Sequence, residues 1–231
     1  MNLAGRRVVV SAGPTYEDID PVRFIGNRSS GKMGFAIAAE AAARGAQVVL
    51  VAGPVHMATP AGVTRVDVRS AQQMHDAVLA QLADGQPPCD AYIGAAAVAD
   101  FTPRAAAADK LKKQPGQDTL TLELVKTRDI LADVAIHARR PALVVGFAAE
   151  TDKVAEYARG KLERKQVDMI CANRVGLQGG GFESDDNALL VIDRDGERAL
   201  GPASKTALAR DLLGFIAMRL DTPSAPATQE T

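Results

Sequence analysis

The sequence predicts an α/β fold in three layers: a mainly parallel β-sheet with helices on both faces and an antiparallel hairpin near the C-terminus. Two observations carry this expectation. Short, uniformly apolar runs recur at residues 8–10, 48–51, 91–94, 143–147 and 168–171, and amphipathic segments separate them. Strands buried on both faces lose the period-two alternation of half-exposed strands, and strands that alternate with helices form right-handed βαβ units. The order breaks only at residues 188–192, the turn Asp193-Arg194-Asp195-Gly196 and residues 197–200, which read as a hairpin.

The elements follow in order. The first strand, residues 8–10, leads to an alanine-rich helix over 30–44. The strand at 48–51 precedes a helix over 71–83, which Ser70 caps and Gln73 closes as a capping box. After 91–94 a long irregular segment leads to a polar strand near 119–124 and a helix over 128–138. The strand at 143–147, a helix over 152–165 and the strand at 168–171 complete the alternation. A last helix over 205–220 carries Leu208, Leu212, Ile216 and Leu220 at four-residue spacing. Residues 1–220 are expected to form one domain. The polar tail 221–231, with two prolines, is expected to be disordered.

Bulk properties set limits on function. A chain of 231 residues, 47% hydrophobic and 24% charged, can bury a full core. A net charge of -1 gives no reason to expect nucleic acid or an acidic membrane as partner, so any basic site must be local. Cys89 and Cys171 fit no metal or redox spacing, and His56, His75 and His137 form no cluster. Scattered thiols suit a cytoplasmic location. No apolar run is long enough to span a bilayer, and residues 1–7 lack the apolar core of a signal peptide.

The most informative stretch is Gly26-Asn27-Arg28-Ser29-Ser30-Gly31-Lys32-Met33-Gly34. Its first seven residues fit the phosphate-loop pattern G-x-x-x-x-G-K, but Met33 stands where a magnesium-binding hydroxyl belongs. Residues 14–25 also intervene between the first strand and this loop. A Walker-type phosphotransferase is therefore disfavoured, and no G-x-G-x-x-G follows the first strand. Ser29 or Ser30 is expected to cap a helix whose first N–H groups face an anion, with Met33 its first core-facing residue. An ordinary capped helix start is the competing reading.

Glycines and small residues also cluster where the strands end, at 11–15, 53–54, 95–100, 147–150 and 172–173. Ligands bind at the carboxyl ends of parallel strands, and small residues admit close approach. Residues 101–117 form a long connection with Lys110-Leu111-Lys112-Lys113 at its centre. Such a segment suits a mobile flap that closes over a polyphosphate, although for a bare lysine cluster a solvated charge run is the favoured reading. Lys161 and Lys165, four apart, share one helix face. Their helix runs away from the strand ends, so only its far turn could reach a ligand.

Taken together, Ser11-Ala12-Gly13-Pro14-Thr15, Ile19-Asp20-Pro21-Val22-Arg23, Asn27 to Gly34, Ala95 to Asp100, Lys110 to Lys113, Gly146 to Thr151, Asp168 to Asn173 and Gly181 to Asn187 resemble phosphopantothenoylcysteine synthetase. This is the C-terminal activity of a bacterial bifunctional coenzyme A biosynthesis protein. The likeness runs from about Arg6 to Leu220 and departs at Pro14, where a second glycine is usual.

The resemblance implies a Rossmann-like dimeric ligase. CTP and 4'-phosphopantothenate would form an acyl-cytidylate and pyrophosphate, L-cysteine would attack the activated carbonyl, and Mg2+ would accompany the triphosphate. It implies catalytic roles for Asn27 and Lys110. It implies CTP contacts for Gly13, Ala96, Ala97, Val98, Asp100, Lys110, Thr127, Arg128, Asp129, Ile130, Phe147, Lys161 and Lys165; metal ligands are left unassigned. No flavin is expected in this domain. The chain is expected to be an excised domain whose native protein carries an N-terminal flavin-dependent decarboxylase.

Two variants test the roles taken from the resemblance. Asn27→Asp replaces an amide donor with a charge and is expected to slow cysteine addition more than pyrophosphate release, so that acyl-cytidylate accumulates. Lys110→Gln is expected to act likewise. Equal loss of both half-reactions rejects the first role, and loss of CTP binding alone rejects the second.

Overall fold

A computed structural model of the chain describes residues 2–112, 116, 118–150, 153–174 and 186–221. The central strand is β1 (Arg7–Ala12), whose run of three valines is buried on both faces. It pairs in parallel with β4 (Gln47–Ala52) on one side and β6 (Ala91–Gly94) on the other. The parallel sheet continues through β5 (Val63–Asp67) beyond β4, and through β9 (Leu143–Glu150) and β10 (Met169–Arg174) beyond β6. Numbered among themselves in chain order, these strands lie 3-2-1-4-5-6. In that doubly wound order the winding reverses between β1 and β6, and a crevice opens there at the strand ends. The antiparallel pair β11 (Asp186–Asp193) and β12 (Gly196–Ser204) completes the sheet beside β10.

Alternate side chains of each strand enter opposite cores. Val8, Val10, Leu50, Ile93 and Val145 pack beneath α1 (Lys32–Ala43) and α5 (Lys205–Asp221). Val9, Val51, Tyr92, Val144 and Ile170 pack beneath α2 (Ala71–Ala80), α3 (Ile130–Ala135) and α4 (Val154–Lys165). Each such side chain contributes about 1.5–3 kcal/mol through removal from water. Cys89 and Cys171 are both buried, and burial pushes the Cys89 thiol up to about 11 and the Cys171 thiol further.

The expected capping box is present: Ser70 Oγ accepts from the Gln73 N–H at 3.2 Å, and Gln73 Oε1 accepts from the Ser70 N–H at 3.3 Å. Other boundaries differ. The first helix begins at Lys32, capped by Gly31 at φ 75°, with no side-chain cap; Ser29 Oγ instead accepts from the Gly31 N–H at 3.3 Å. Met33 is partly buried, and Gly34 is the first fully buried position of α1. The helix expected over 128–138 is only α3, because Asp129 accepts from the Ala132 N–H at 3.1 Å and fixes its start. The polar strand expected near 119–124 begins at its last residue, as β8 (Leu124–Lys126), paired with β7 (Phe101–Pro103). A hairpin of β2 (Tyr16–Asp18) and β3 (Phe24–Gly26), and β5 itself, are additional. Within the expected flap, Lys113 to Pro115 and Gln117 lie outside the described residues, as do Thr151, the Gly181 to Asp185 part of a motif and the tail from 222. No helix among the described residues is long and apolar enough to cross a membrane.

The end of β4 crosses the loop after β1 so closely that a Cβ on Gly53 would lie 1.7 Å from the Pro14 carbonyl oxygen. Gly53→Ala is therefore expected to cost more than about 3 kcal/mol, since one chain or the other must move. Thermal unfolding should show a fall in Tm on the order of 10 °C.

Candidate functional site

The site is built where the winding reverses. The segments leaving β1 and β6 are held side by side: Gly13 O accepts from the Ala97 N–H at 2.9 Å, Thr15 N–H donates to Ala97 O at 3.3 Å, and Thr15 Oγ1 accepts from the Ala99 N–H at 3.0 Å. Only small residues allow two strand ends and the start of α1 to meet here. A Cβ on Gly34 would lie 2.4 Å from that of Ala12. Two adjoining cavities flank the segment after β6 and share Ala96, Val98, Asp100, Phe147 and Lys161 as a common wall.

The first cavity, about 420 Å³, lies over the N-terminus of α1. Asn27, just past the end of β3, stands at its edge, with its Nδ2 donating to Val98 O at 2.9 Å. Arg28, Lys32 and Lys205 bring positive charge, against the carboxylate of Asp100. Lys205 opens α5 and is 7% exposed. Because β11 runs antiparallel to β10, its pairing with β12 returns the start of α5 to the same end of the sheet as the start of α1. Asn173 and Asn187 add neutral amides.

The second cavity, about 530 Å³, has Ser11 and Tyr92 among its lining residues, their oxygens 3.0 Å apart. Burial pushes the Tyr92 hydroxyl up to about 12, so it stays neutral. The start of α3 forms another wall. Thr127 ties it to the segment after β6, its N–H donating to Asp100 O at 3.0 Å and its Oγ1 to Ala99 O at 2.7 Å. Lys161 and Lys165 both reach this cavity, so the far turns of α4 do lie beside it. Lys161 Nζ donates to Phe147 O at 2.7 Å, and Lys165 pairs with Asp129. Burial pushes the Lys165 ammonium down from its ordinary value, and the Asp100 carboxylate opposes that shift.

The cavities thus gather Asn27, Ala96, Ala97, Val98, Asp100, Thr127, Arg128, Asp129, Ile130, Phe147, Lys161 and Lys165. Two predicted site residues line neither. Gly13 lies behind the wall at φ 81°, where its added Cβ would meet Val55 Cγ1 at 3.1 Å. Lys110 is exposed on a strap that lies along the β2–β3 hairpin. Ala107 N–H donates to Ile19 O at 2.9 Å, and Leu111 N–H donates to Asp20 Oδ2 at 3.1 Å. Lys205 and Tyr92 are site residues that the sequence reading misses, and Ser11 enters it only as the start of the 11–15 cluster; a lysine at the first position of the last helix is the signal that could have found Lys205. Among the described residues, no three His, Cys, Asp or Glu side chains gather as a metal site.

A family profile described as the DNA/pantothenate metabolism flavoprotein C-terminal domain matches residues 3–220. The chain belongs to this family. It is 51% identical over 214 residues to the coenzyme A biosynthesis bifunctional protein CoaBC of Vibrio cholerae serotype O1, covering 93% of this chain and 53% of that protein. Against CoaBC of Escherichia coli strain K12 the identity is 50% over 215 residues, covering 93% and 52%. The chain thus spans about half the length of these relatives. The crystal structure of a CoaBC C-terminal domain superposes with TM-score 0.78 at 39% identity, covering 94% of this chain and 97% of that one. A Cab2 mutant in complex with phosphopantothenate-cysteine shares the fold at 15% identity, with TM-score 0.73 over 94% of this chain and 86% of that one.

The carboxylate of Asp20 is held well below the usual carboxylate range, first by the Arg23 guanidinium and then by the N–H groups of Val22, Leu111 and Arg23, against the opposing effect of burial. A depressed carboxylate stabilises the fold above the unfolded value of about 3.9, and that stability is lost as pH falls through the folded value. Asp20→Asn is therefore expected to lower Tm at pH 7, with the gap to wild type closing as pH falls below about 4. A gap that stays constant from pH 7 to pH 3 would contradict this.

Proposed function

We propose that the domain is a phosphopantothenate–cysteine ligase of coenzyme A biosynthesis that activates its acyl substrate with CTP. The observation that carries the reading is the pair of adjoining cavities with a common wall at the sheet's point of reversal. The cavity beside α3 and α4 takes the nucleotide, with Lys161 and Lys165 near its phosphates. The cavity over α1 takes 4'-phosphopantothenate, whose anionic groups suit Arg28, Lys32 and Lys205. The acyl carboxylate and the α-phosphorus then meet at the shared wall. Membership of the family and the names of its CoaBC members support this assignment.

In the first step a carboxylate oxygen bonds to the α-phosphorus and the bond to the β-phosphate breaks, releasing pyrophosphate. In the second the amino group of L-cysteine bonds to the acyl carbon, CMP leaves and the amine loses a proton. Neither step needs a side-chain nucleophile. Both need alignment and relief of negative charge, which lysines and backbone N–H groups supply. The Asn27 amide, beside Val98 O, is placed to donate to the acyl oxygen. Mg2+ would arrive with the triphosphate and neutralise phosphate charge; Asp100 borders both cavities and would be the carboxylate to hold it.

The native assembly is proposed to be a cytoplasmic homodimer. Exposed Val22, Phe24 and Phe101 on the β2–β3 hairpin and β7 support a second copy, and the Tyr16 and Phe24 rings are already stacked at 3.9 Å. The greater length of the CoaBC relatives supports a covalently linked N-terminal decarboxylase domain.

Incubation with CTP, Mg2+, 4'-phosphopantothenate and cysteine should release pyrophosphate and ligated product, with ATP a poorer substitute. No pyrophosphate above background overturns the reading. Two variants test the division of the site. Lys165→Met is expected to raise the KM for CTP about 10–100-fold, and Lys205→Met that for phosphopantothenate by a similar factor, the range of one lost charge-assisted hydrogen bond. The same KM rising in both variants would contradict the division.

A further inference from the structure

The strap 104–112 and the β2–β3 hairpin meet at one buried carboxylate. Asp20 lies in the hairpin turn with its side chain inaccessible to solvent. Its two oxygens have separate partners. Oδ1 accepts from the Val22 and Arg23 N–H groups, each at 2.8 Å, and so closes the turn. Oδ2 accepts from Arg23 Nε at 3.0 Å and from the Leu111 N–H at 3.1 Å, 91 residues away in sequence. The Arg23 guanidinium completes a fork on the strap, donating to Leu111 O at 2.8 Å. A turn needs only the Oδ1 bonds. The Oδ2 bond from the Leu111 N–H attaches a distant segment to it.

The position of this knot gives it a role. Lys110 directly precedes the pinned Leu111, and the chain running out of the turn becomes β3, which ends at Gly26, directly before Asn27. We propose that Asp20 is a positioning residue that joins the strap carrying Lys110 to the hairpin carrying Asn27, so that the two move and settle as one unit against the shared wall. The inference rests on the ligase reading above for the chemistry of those two side chains, but the tether itself is independent of it. Charge-assisted bonds made away from solvent suit such a tether because they are directional and strong.

Asp20→Asn is the direct test. The amide keeps an oxygen for the turn and places an NH2 group against the Leu111 N–H and the Arg23 guanidinium, donor against donor. Amide hydrogen exchange at Ala107 and Leu111 is expected to accelerate at least tenfold, with Val8 and Val9 in β1 unchanged. In the ligation assay kcat is expected to fall at least tenfold while the KM for CTP stays within threefold. Asp20→Asn combined with Lys110→Gln should be no more than threefold slower than Lys110→Gln alone, because the tether acts through Lys110.

Unchanged exchange in the strap, or a double variant whose losses multiply, overturns the proposal. If Asp20→Asn gives no cooperative thermal transition, Leu111→Pro, which removes the amide donor and leaves Asp20 intact, is put through the same kinetics and exchange at Ala107, with the same results deciding. If the wild-type chain ligates nothing, the ligase reading fails, and the exchange measurement still decides whether the tether exists.

Discussion

The architecture depends on how closely three backbones approach one another at the point of reversal. The loop after β1 crosses the end of β4 with no room for a side chain at Gly53, and α1 seats on the end of β1 because Gly34 leaves the Ala12 methyl group undisturbed. Everything that gives the site its shape follows from this contact. It brings the start of α1 over the strand ends, and it lets the segment after β6 lie beside Gly13 and Thr15 as a shared rim. Larger residues here would force α1 or one of the crossing chains to move. The apolar cores on either face keep the sheet rigid, but any Rossmann-like sheet has such cores. The narrow crossing is what makes this sheet hold two compartments.

Charge is distributed around that rim by elements far apart in sequence. Lys32 comes from α1, Lys161 and Lys165 from α4, and Lys205 from α5. A chain of net charge -1 thereby assembles a locally basic site, and the rest of the molecule carries the compensating negative charge. The helix starts add their own partial positive charge. Asp100 is the counterweight, bordering both compartments and opposing the downward shift of Lys165.

What the sequence disclosed and what it hid divide along physical lines. Among the described residues, the six parallel strands and five helices draw on hydrophobic burial, and five of those strands announce themselves as apolar runs. Ser70 and Gln73 declared their capping box through local chemistry alone. β5 escaped because it is half-exposed and carries Thr64, Arg65 and Asp67. β2, β3 and β7 escaped, and β8 reads a few residues early, because three-residue strands depend on partners the sequence does not name. Gly31 displaced the expected serine cap because its left-handed backbone turns the chain into α1 without side-chain help. At the site, residues at strand ends were readable from topology, whereas Lys205 reaches the first cavity only through the antiparallel return of β11 and β12. The resting place of Lys110 depends on hydrogen bonds to a hairpin invisible in the residue pattern.

The two buried cysteines have a consequence for an enzyme that would handle a free thiol substrate. Thiol–disulfide exchange proceeds through the thiolate, and burial raises both the Cys89 and the Cys171 thiols so that they stay protonated at neutral pH. Cystine, glutathione disulfide or oxidised substrate arriving with L-cysteine finds no attacking sulfur on the folded domain. The folded domain therefore offers little for a mixed disulfide to form on, and oxidising surroundings would act on it chiefly through the supply of its thiol substrate.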